Sequence, residues 1–241
     1  MSESIRYPRI LLKISGEALA GKAGFGLDTG TLDYIAKEIV AVHDVGTEIA
    51  VVVGGGNFIR GDEFSAEGGL DRTVADHMGM LGTIMNGLGL HAAIERHGVQ
   101  TRVQSAIGIA EVCEPFIRRR AMRHMEKGRV VVFAGGTGNP YFTTDTASVL
   151  RALEIGADCL IKATKVDGVY NKDPLQHADA SKFDNIGYSE VIRQRLAVMD
   201  MTAFTMCQEH GLPIIVLDFL SSGSIMRAVV GQTDGTLVAG D

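Results

Sequence analysis

The sequence predicts an α/β fold, a three-layer αβα sandwich with a mostly parallel central sheet. Apolar, β-branched runs such as Glu48 to Val53 alternate with helical patterns along the chain. Such alternation builds a parallel sheet with helices on both faces. No linker, repeat or low-complexity stretch interrupts the 241 residues, so residues 1–241 read as one domain. Two glycine clusters, Gly54-Gly55-Gly56 and Gly135-Gly136-Thr137-Gly138, directly follow strand-like runs. In sheets of this kind, ligands bind beyond the carboxyl ends of the strands.

The elements follow in order. Arg9 to Ile14 is expected as the first strand. Thr31 to Val45 is an amphipathic helix with Leu32, Ile35, Ile39 and Val42 on one face. Glu48 to Val53 is a strand buried on both sides. Asp71 to His97 is a long helix with Asp71 as its N-cap. Thr101 to Ala106 is a strand, and Pro115 to Lys127 a helix with proline in its first turn and Gly128 at its end. Arg129 to Ala134 is a strand, Thr144 to Gly156 a helix, and Cys159 to Ala163 a strand. Val166-Asp167-Gly168-Val169 has the signature of a tight hairpin. Tyr188 to Leu196 and Asp200 to His210 are helices, and Pro213 to Phe219 is an inner strand. Ser224 to Val230 is the last helix and Gly235 to Ala239 a closing edge strand.

Composition excludes several classes. The net charge of −6 argues against a general nucleic-acid binder. No apolar run approaches the ~20 residues of a membrane helix, and the polar stretch from Met1 to Arg9 does not read as a secretion leader. Cys113, Cys159 and Cys207 are odd in number and far apart. They read as buried thiols in a reducing compartment. Glycine is abundant, 30 of 241 residues.

Two nucleotide motifs fail. Gly16 to Lys22 has P-loop spacing, but the next residue is Ala23, which has no hydroxyl for a metal, and Gly24-Phe25-Gly26 should not open a helix. The dinucleotide pattern breaks at Ile59 when counted from Gly54, and at Tyr141 when counted from Gly136.

Other segments carry phosphate chemistry. Lys13 ends the first strand before the turn Ser15-Gly16, where it either reaches a phosphate or is simply solvated. Three successive glycines at Gly54 let N–H groups converge on an anion, and Arg60 adds a planar fork. In the long helix, Val74, Met78, Leu81, Met85, Leu88 and Ala92 form a stripe that is either core or a subunit contact. Gly79, Gly82, Gly87 and Gly89 each cost about 1 kcal/mol there relative to alanine, and such small residues suit close approach to another helix. Asp76 lies off the stripe, either solvated or free to accept from ribose hydroxyls. The loop Gly135 to Asp145 offers donors and hydroxyls that run into a helix, with Thr144 able to cap it and Asp145 at its positive end. Lys162-Ala163-Thr164-Lys165 with Tyr170 and Asp173 offers cations and a ring for a base. Arg118-Arg119-Arg120 reads as a solvated helix face.

Taken in order over nearly the whole chain, these segments resemble the amino-acid-kinase superfamily and, within it, the bacterial UMP kinases. The matching runs begin at Leu12, Gly54, Asp76, Thr137, Thr143, Lys162 and Val198. The resemblance implies the amino-acid-kinase fold and transfer of the ATP γ-phosphoryl group to UMP. It implies ATP against Lys13, Ile14, Ser15, Gly16, Gly56, Arg60, Thr164, Tyr170 and Asp173. It implies UMP against Gly55, Asp76, Thr137, Gly138, Asn139, Pro140, Tyr141, Phe142, Thr143 and Thr144. Gly21, Lys22, Ala23, Gly24, Phe25 and Gly26 match the family's loop for GTP activation. The family is hexameric, Mg²⁺-dependent, inhibited by UTP, cytoplasmic and part of pyrimidine nucleotide synthesis. Tyr170 stands where some members carry phenylalanine. The catalytic candidates are Lys13, to neutralise the transferring group, Lys162 to assist, and Asp145 and Asp200 to orient the lysines or hold metal. Two alternatives share the pattern: a superfamily kinase acting on an amino-acid carboxylate or carbamate, and a metal-oxide storage protein of the same fold.

Overall fold

The computed structural model describes residues 4–59, 69–174, 176–196 and 198–240. Its main sheet has nine strands: β1 (Arg9–Ile14), β2 (Glu48–Val53), β3 (Thr101–Ser105), β4 (Glu114–Pro115), β5 (Val130–Ala134), β6 (Cys159–Thr164), β9 (Asn185–Ile186), β10 (Ile214–Asp218) and β11 (Thr236–Val238). Their spatial order is β4-β3-β5-β2-β1-β6-β10-β11-β9. Every neighbouring pair is parallel except β10 and β11. Strands β7 (Val169–Tyr170) and β8 (Lys182–Phe183) form a separate antiparallel ribbon.

Helices cover both faces, and the alternation of side chains along each strand decides which residue meets which layer. One core joins Ile10, Leu12 and Ile14 to α2 (Thr29–Asp44), α3 (Arg72–Arg96) and α8 (Ser224–Val229). The other joins Leu11, Val52 and Leu160 to α4 (Arg118–Glu126), α5 (Thr144–Ile155), α6 (Tyr188–Gln194) and α7 (Met201–His210). Lys13 has the parity of Leu11 and Lys162 that of Leu160. Both lysines therefore point toward the α5 layer. A four-residue helix, α1 (Gly16–Leu19), follows β1 and is capped by Ser15. Among the described residues no helix is long and apolar enough to cross a membrane.

Several expectations are corrected. Pro115 belongs to β4, an edge strand where a missing N–H is tolerated, and α4 begins only at Arg118. The Asp167-Gly168 turn is not a tight hairpin, because the partner of Val169–Tyr170 is Lys182–Phe183. Thr236–Val238 does not close the edge, since Asn185–Ile186 pairs outside it. The cap of α5 is Thr143, not Thr144. Cys113 is only partly buried, although Cys159 and Cys207 are fully enclosed. Burial pushes the Cys207 thiol up to about 12, which leaves it inert as a nucleophile.

Helix α3 departs most from expectation. Most of its heptad stripe is not core: Val74, Leu81 and Met85 are about half exposed, while Leu88 packs against the core. The inward face is made instead of Ala75, Gly82, Thr83, Ile84, Asn86, Gly87 and Leu90. The helix glycines mostly do not meet another helix. A Cβ on Gly82 would lie 3.3 Å from the Gly55 carbonyl oxygen, and one on Gly87 would meet Val103 and Val132 of the sheet. Among the described residues, only Gly89 faces a neighbouring helix, through Leu32.

Candidate active site

The strand ends bring two cations together. Lys13 and Lys162 are register partners on adjacent parallel strands, an arrangement in which like charges repel. Asp145, in the first turn of α5, relieves it. Its Oδ1 lies 2.7 Å from Lys13 Nζ and its Oδ2 2.7 Å from Lys162 Nζ. Lys162 Nζ also donates to the Val198 carbonyl at 2.5 Å. All three side chains are largely buried.

The electrostatics follow from that enclosure. Burial alone would raise the Asp145 carboxyl, but the Lys13 and Lys162 ammonium groups override it and hold the group below the usual carboxylate range. Burial depresses Lys162, against the pull of Asp145. Two ammonium groups share one carboxylate, which leaves the centre a net cation able to receive phosphate oxygens.

A chain of caps fixes Asp145. Thr143 Oγ1 accepts from the backbone N–H of Asp145 at 3.0 Å and of Thr146 at 3.3 Å. Its hydroxyl donates to Asp200. Asp200 accepts from Thr146 Oγ1 at 3.1 Å and caps α7 through the Ala203 N–H at 2.9 Å. Asp200 thus anchors the starts of α5 and α7, and its charge acts on Lys162 from a distance.

A cleft of about 340 Å³ opens on one side of this centre. Gly55, Gly56, Asp76, Thr137, Asn139, Phe142, Thr143 and Thr144 line it. Asp76 is not on a solvated face. Its carboxylate accepts from Arg72 Nε at 2.8 Å and from the Tyr141 N–H at 2.7 Å. Tyr141 takes a left-handed φ of 70° to present that N–H, and its ring lies 5.8 Å from the Arg72 guanidinium carbon. Gly138, Pro140 and Tyr141 shape the loop without lining the cleft. Gly56, expected with ATP, lines this cleft.

A second cleft of about 560 Å³ lies beyond β6 and β10. Lys162, Thr164, Tyr170 and Asp173 line it, with Val169, Leu196, Val198 and Val216 as apolar wall. The Tyr170 hydroxyl donates to Asp167 at 2.6 Å, and that bond raises the phenol above its ordinary value. The Thr164 hydroxyl closes its own turn with Val166.

Lys13, Ile14, Ser15 and Gly16 lie at the end of β1 and outside the second cleft's lining. The Ile14 side chain is core, so only its backbone is available to a ligand. A Cβ on Gly16 would lie 2.7 Å from Gly56 N, so the two turns touch backbone to backbone. Arg60 lies outside the described residues. In the segment Gly21 to Gly26, Phe25 and Gly26 meet the residues that follow the first glycine cluster. Asn57 Nδ2 donates to the Gly26 carbonyl at 2.6 Å, and Gly26 N–H donates back to the Asn57 carbonyl at 3.1 Å. Phe25 is exposed and meets Phe58 edge-on.

Sequence reasoning missed Arg72, Thr83 and the Val198 carbonyl. Only Arg72 left a signal, its position four residues before Asp76 on one helix face.

The amino acid kinase family profile matches residues 8–218. A uridylate kinase of Rubrobacter xylanophilus is 54% identical over 231 residues, covering 95% of this chain and 91% of the relative. Among solved structures, the UMP kinase of Bacillus anthracis superposes with a TM-score of 0.94 at 39% identity, covering 98% of this chain and 97% of its own. The UMP kinase of Ureaplasma parvum gives 0.92 at 33% identity, covering 98% and 100%.

Proposed function

The chain belongs to the amino acid kinase family, and we propose that it transfers the γ-phosphoryl group of ATP to UMP, releasing UDP and ADP. The observation that carries this reading is the buried Lys13–Asp145–Lys162 centre. Lys162 lines one cleft, and Asp145 follows Thr143 and Thr144, which line the other. ATP occupies the larger cleft, with its base near Tyr170 and its phosphates toward Lys162 and Lys13. UMP occupies the smaller one, with its ribose toward Asp76 and its phosphate toward the loop from Thr137 to Thr144. Relatives named for this activity match nearly the whole chain.

In the transfer, a UMP phosphate oxygen bonds to the γ-phosphorus as the bond to the β-phosphate oxygen breaks. A phosphate monoester is largely ionised at neutral pH, its second pKa being about 6, so no side chain has to remove a proton. Lys13 and Lys162 neutralise charge on the oxygens around the transferring group, and Asp145 holds both in place. Mg²⁺ is proposed as the companion of ATP. Among the described residues no three His, Cys, Asp or Glu side chains gather to hold a metal, and Asp145 is committed to two lysines. The ion would ride mainly on the nucleotide phosphates, a common mode for Mg²⁺, and would supply charge neutralisation there.

Regulation and setting complete the proposal. GTP activates through the loop Gly21 to Gly26, which the Asn57 bonds tie to the first glycine loop. UTP inhibits as the end product of the pathway. The protein assembles as a homohexamer, with the exposed stripe of α3 as a subunit contact, and works in the cytoplasm in pyrimidine nucleotide synthesis. An acceptor screen tests the core of this reading. ADP release from ATP and Mg²⁺ should require UMP, and aspartate, glutamate and carbamate should not replace it. Release driven by one of those three instead would overturn the assignment.

A further inference from the structure

Helix α3 carries a buried hydroxyl that no motif pointed to. Thr83 is 2% exposed. Its Oγ1 donates to the Met80 carbonyl one turn back at 2.6 Å. That bond turns the oxygen's lone pairs outward, and they accept the Gly135 N–H at 2.7 Å. Gly135 has φ of 77°, and a Cβ there would lie 2.9 Å from Ser105 Oγ. Its peptide is therefore turned out of the strand conformation as β5 ends. Its carbonyl then accepts from Gly138 N–H at 2.9 Å, closing the turn that presents Thr137.

The same side chain meets the other glycine loop. A Cβ on Gly55 would lie 3.3 Å from Thr83 Cγ2 and 2.4 Å from the Gly79 carbonyl oxygen. One threonine thus touches one loop with its methyl group and bonds the other with its hydroxyl. Two turns earlier on the helix, Asp76 accepts the Tyr141 N–H. The segment between Gly135 and Tyr141 is fastened along α3 at both ends.

We propose that Thr83 is a positioning residue for the phosphoryl acceptor, its hydroxyl setting the turn at Gly135 across the smaller cleft from Gly55. The proposal rests on the reading of that cleft as the acceptor site. Replacing Thr83 by valine keeps the shape and leaves the Gly135 N–H buried without its acceptor.

The test uses the full chain with Thr83→Val and Thr83→Ser, varying each substrate at saturating concentration of the other and measuring Tm in parallel. Thr83→Val should raise the KM for UMP about tenfold, the order expected where one buried donor loses its partner. The KM for ATP should stay within about twofold. Thr83→Ser, which keeps the hydroxyl, should restore the UMP value. An unchanged UMP KM in folded Thr83→Val overturns the proposal, and so does an equal rise for both substrates, which would mark general loosening. A UMP KM in Thr83→Ser as poor as in Thr83→Val also overturns it, because the hydroxyl would then not suffice to set the turn. If Thr83→Val does not fold, Thr83→Cys, whose thiol fills the space and accepts weakly, takes its place under the same criteria. If the wild type phosphorylates an acceptor other than UMP, the split is read on that acceptor, so failure of the nucleotide assignment and failure of the Thr83 role leave different marks.

Discussion

Asp145→Asn is the perturbation with the most definite structural consequence. The wild-type carboxylate answers two ammonium groups, each 2.7 Å from one of its oxygens, and all three side chains are largely enclosed. The amide keeps the shape and removes the charge. It leaves Lys13 and Lys162 facing one another across adjacent strands with no anion between them. Removing one partner of a buried ion pair typically costs about 3–5 kcal/mol. At about 2–4 °C per kcal/mol for a chain of this size, Tm should fall by roughly 6–20 °C. Nucleotide phosphates can supply the missing negative charge, so saturating ATP should raise the Tm of the variant more than that of the wild type. The pH dependence has a definite sign. The folded carboxyl is depressed, so its stabilisation is present above the unfolded value of about 3.9 and is lost as pH falls through the folded value. Acid unfolding should therefore lose its Asp145 component in Asp145→Asn. The assay is differential scanning fluorimetry across pH, with and without ATP. A variant Tm within about 2 °C of wild type at neutral pH would refute the idea that this carboxylate holds the two cations together.

Three further outcomes are expected. Lys13→Ala should lower kcat by ~10²–10³, the usual effect of removing one preorganised electrostatic partner, with UMP affinity by calorimetry near wild type; a tenfold or smaller loss would return Lys13 to a structural role. Burial lowers Lys162, so the alkaline limb of the kcat profile should fall below the ordinary lysine value of about 10.4; in Lys162→Arg, which stays charged, that limb should move to higher pH, and an identical limb in both proteins would contradict the assignment. Met85→Glu, at a half-exposed position of α3, should lower the mass in light scattering while Tm changes little, and an unchanged mass would remove the stripe from the assembly interface.

Much of the fold was legible because its central strands are continuous apolar runs. Arg9–Ile14 and Glu48–Val53 have the bounds their patterns predict. The two-residue strands Glu114–Pro115, Asn185–Ile186 and Lys182–Phe183 were not legible, since pairings that short are set by tertiary contact. Helix α3 misled for a physical reason. Its inward face mixes small and polar residues, Gly82, Thr83, Asn86 and Gly87, with Ile84 and Leu90, and its outward face carries Val74, Leu81 and Met85. An apolar stripe therefore could not say which side was buried. In the site, strand parity alone sends Lys13 and Lys162 to one layer, but nothing local in the sequence shows that Asp145 joins them. The Asn57–Asn86 pair was equally hidden. Asn57 donates to Asn86 Oδ1 at 2.9 Å, and Asn86 to the Gly54 carbonyl at 2.6 Å. Both amides are buried, and their partners lie about thirty residues apart.

On the proposed reading, two clefts meet at one cationic centre so that a phosphoryl group passes from ATP to UMP. The most direct test is the fate of the γ-phosphorus. With γ-labelled ATP, Mg²⁺ and UMP, the label should appear in the β-phosphate of UDP, in equal amount to the ADP formed and with little free phosphate. Label released as inorganic phosphate, or carried by an acceptor other than UMP when both are present, would rule out direct transfer to UMP.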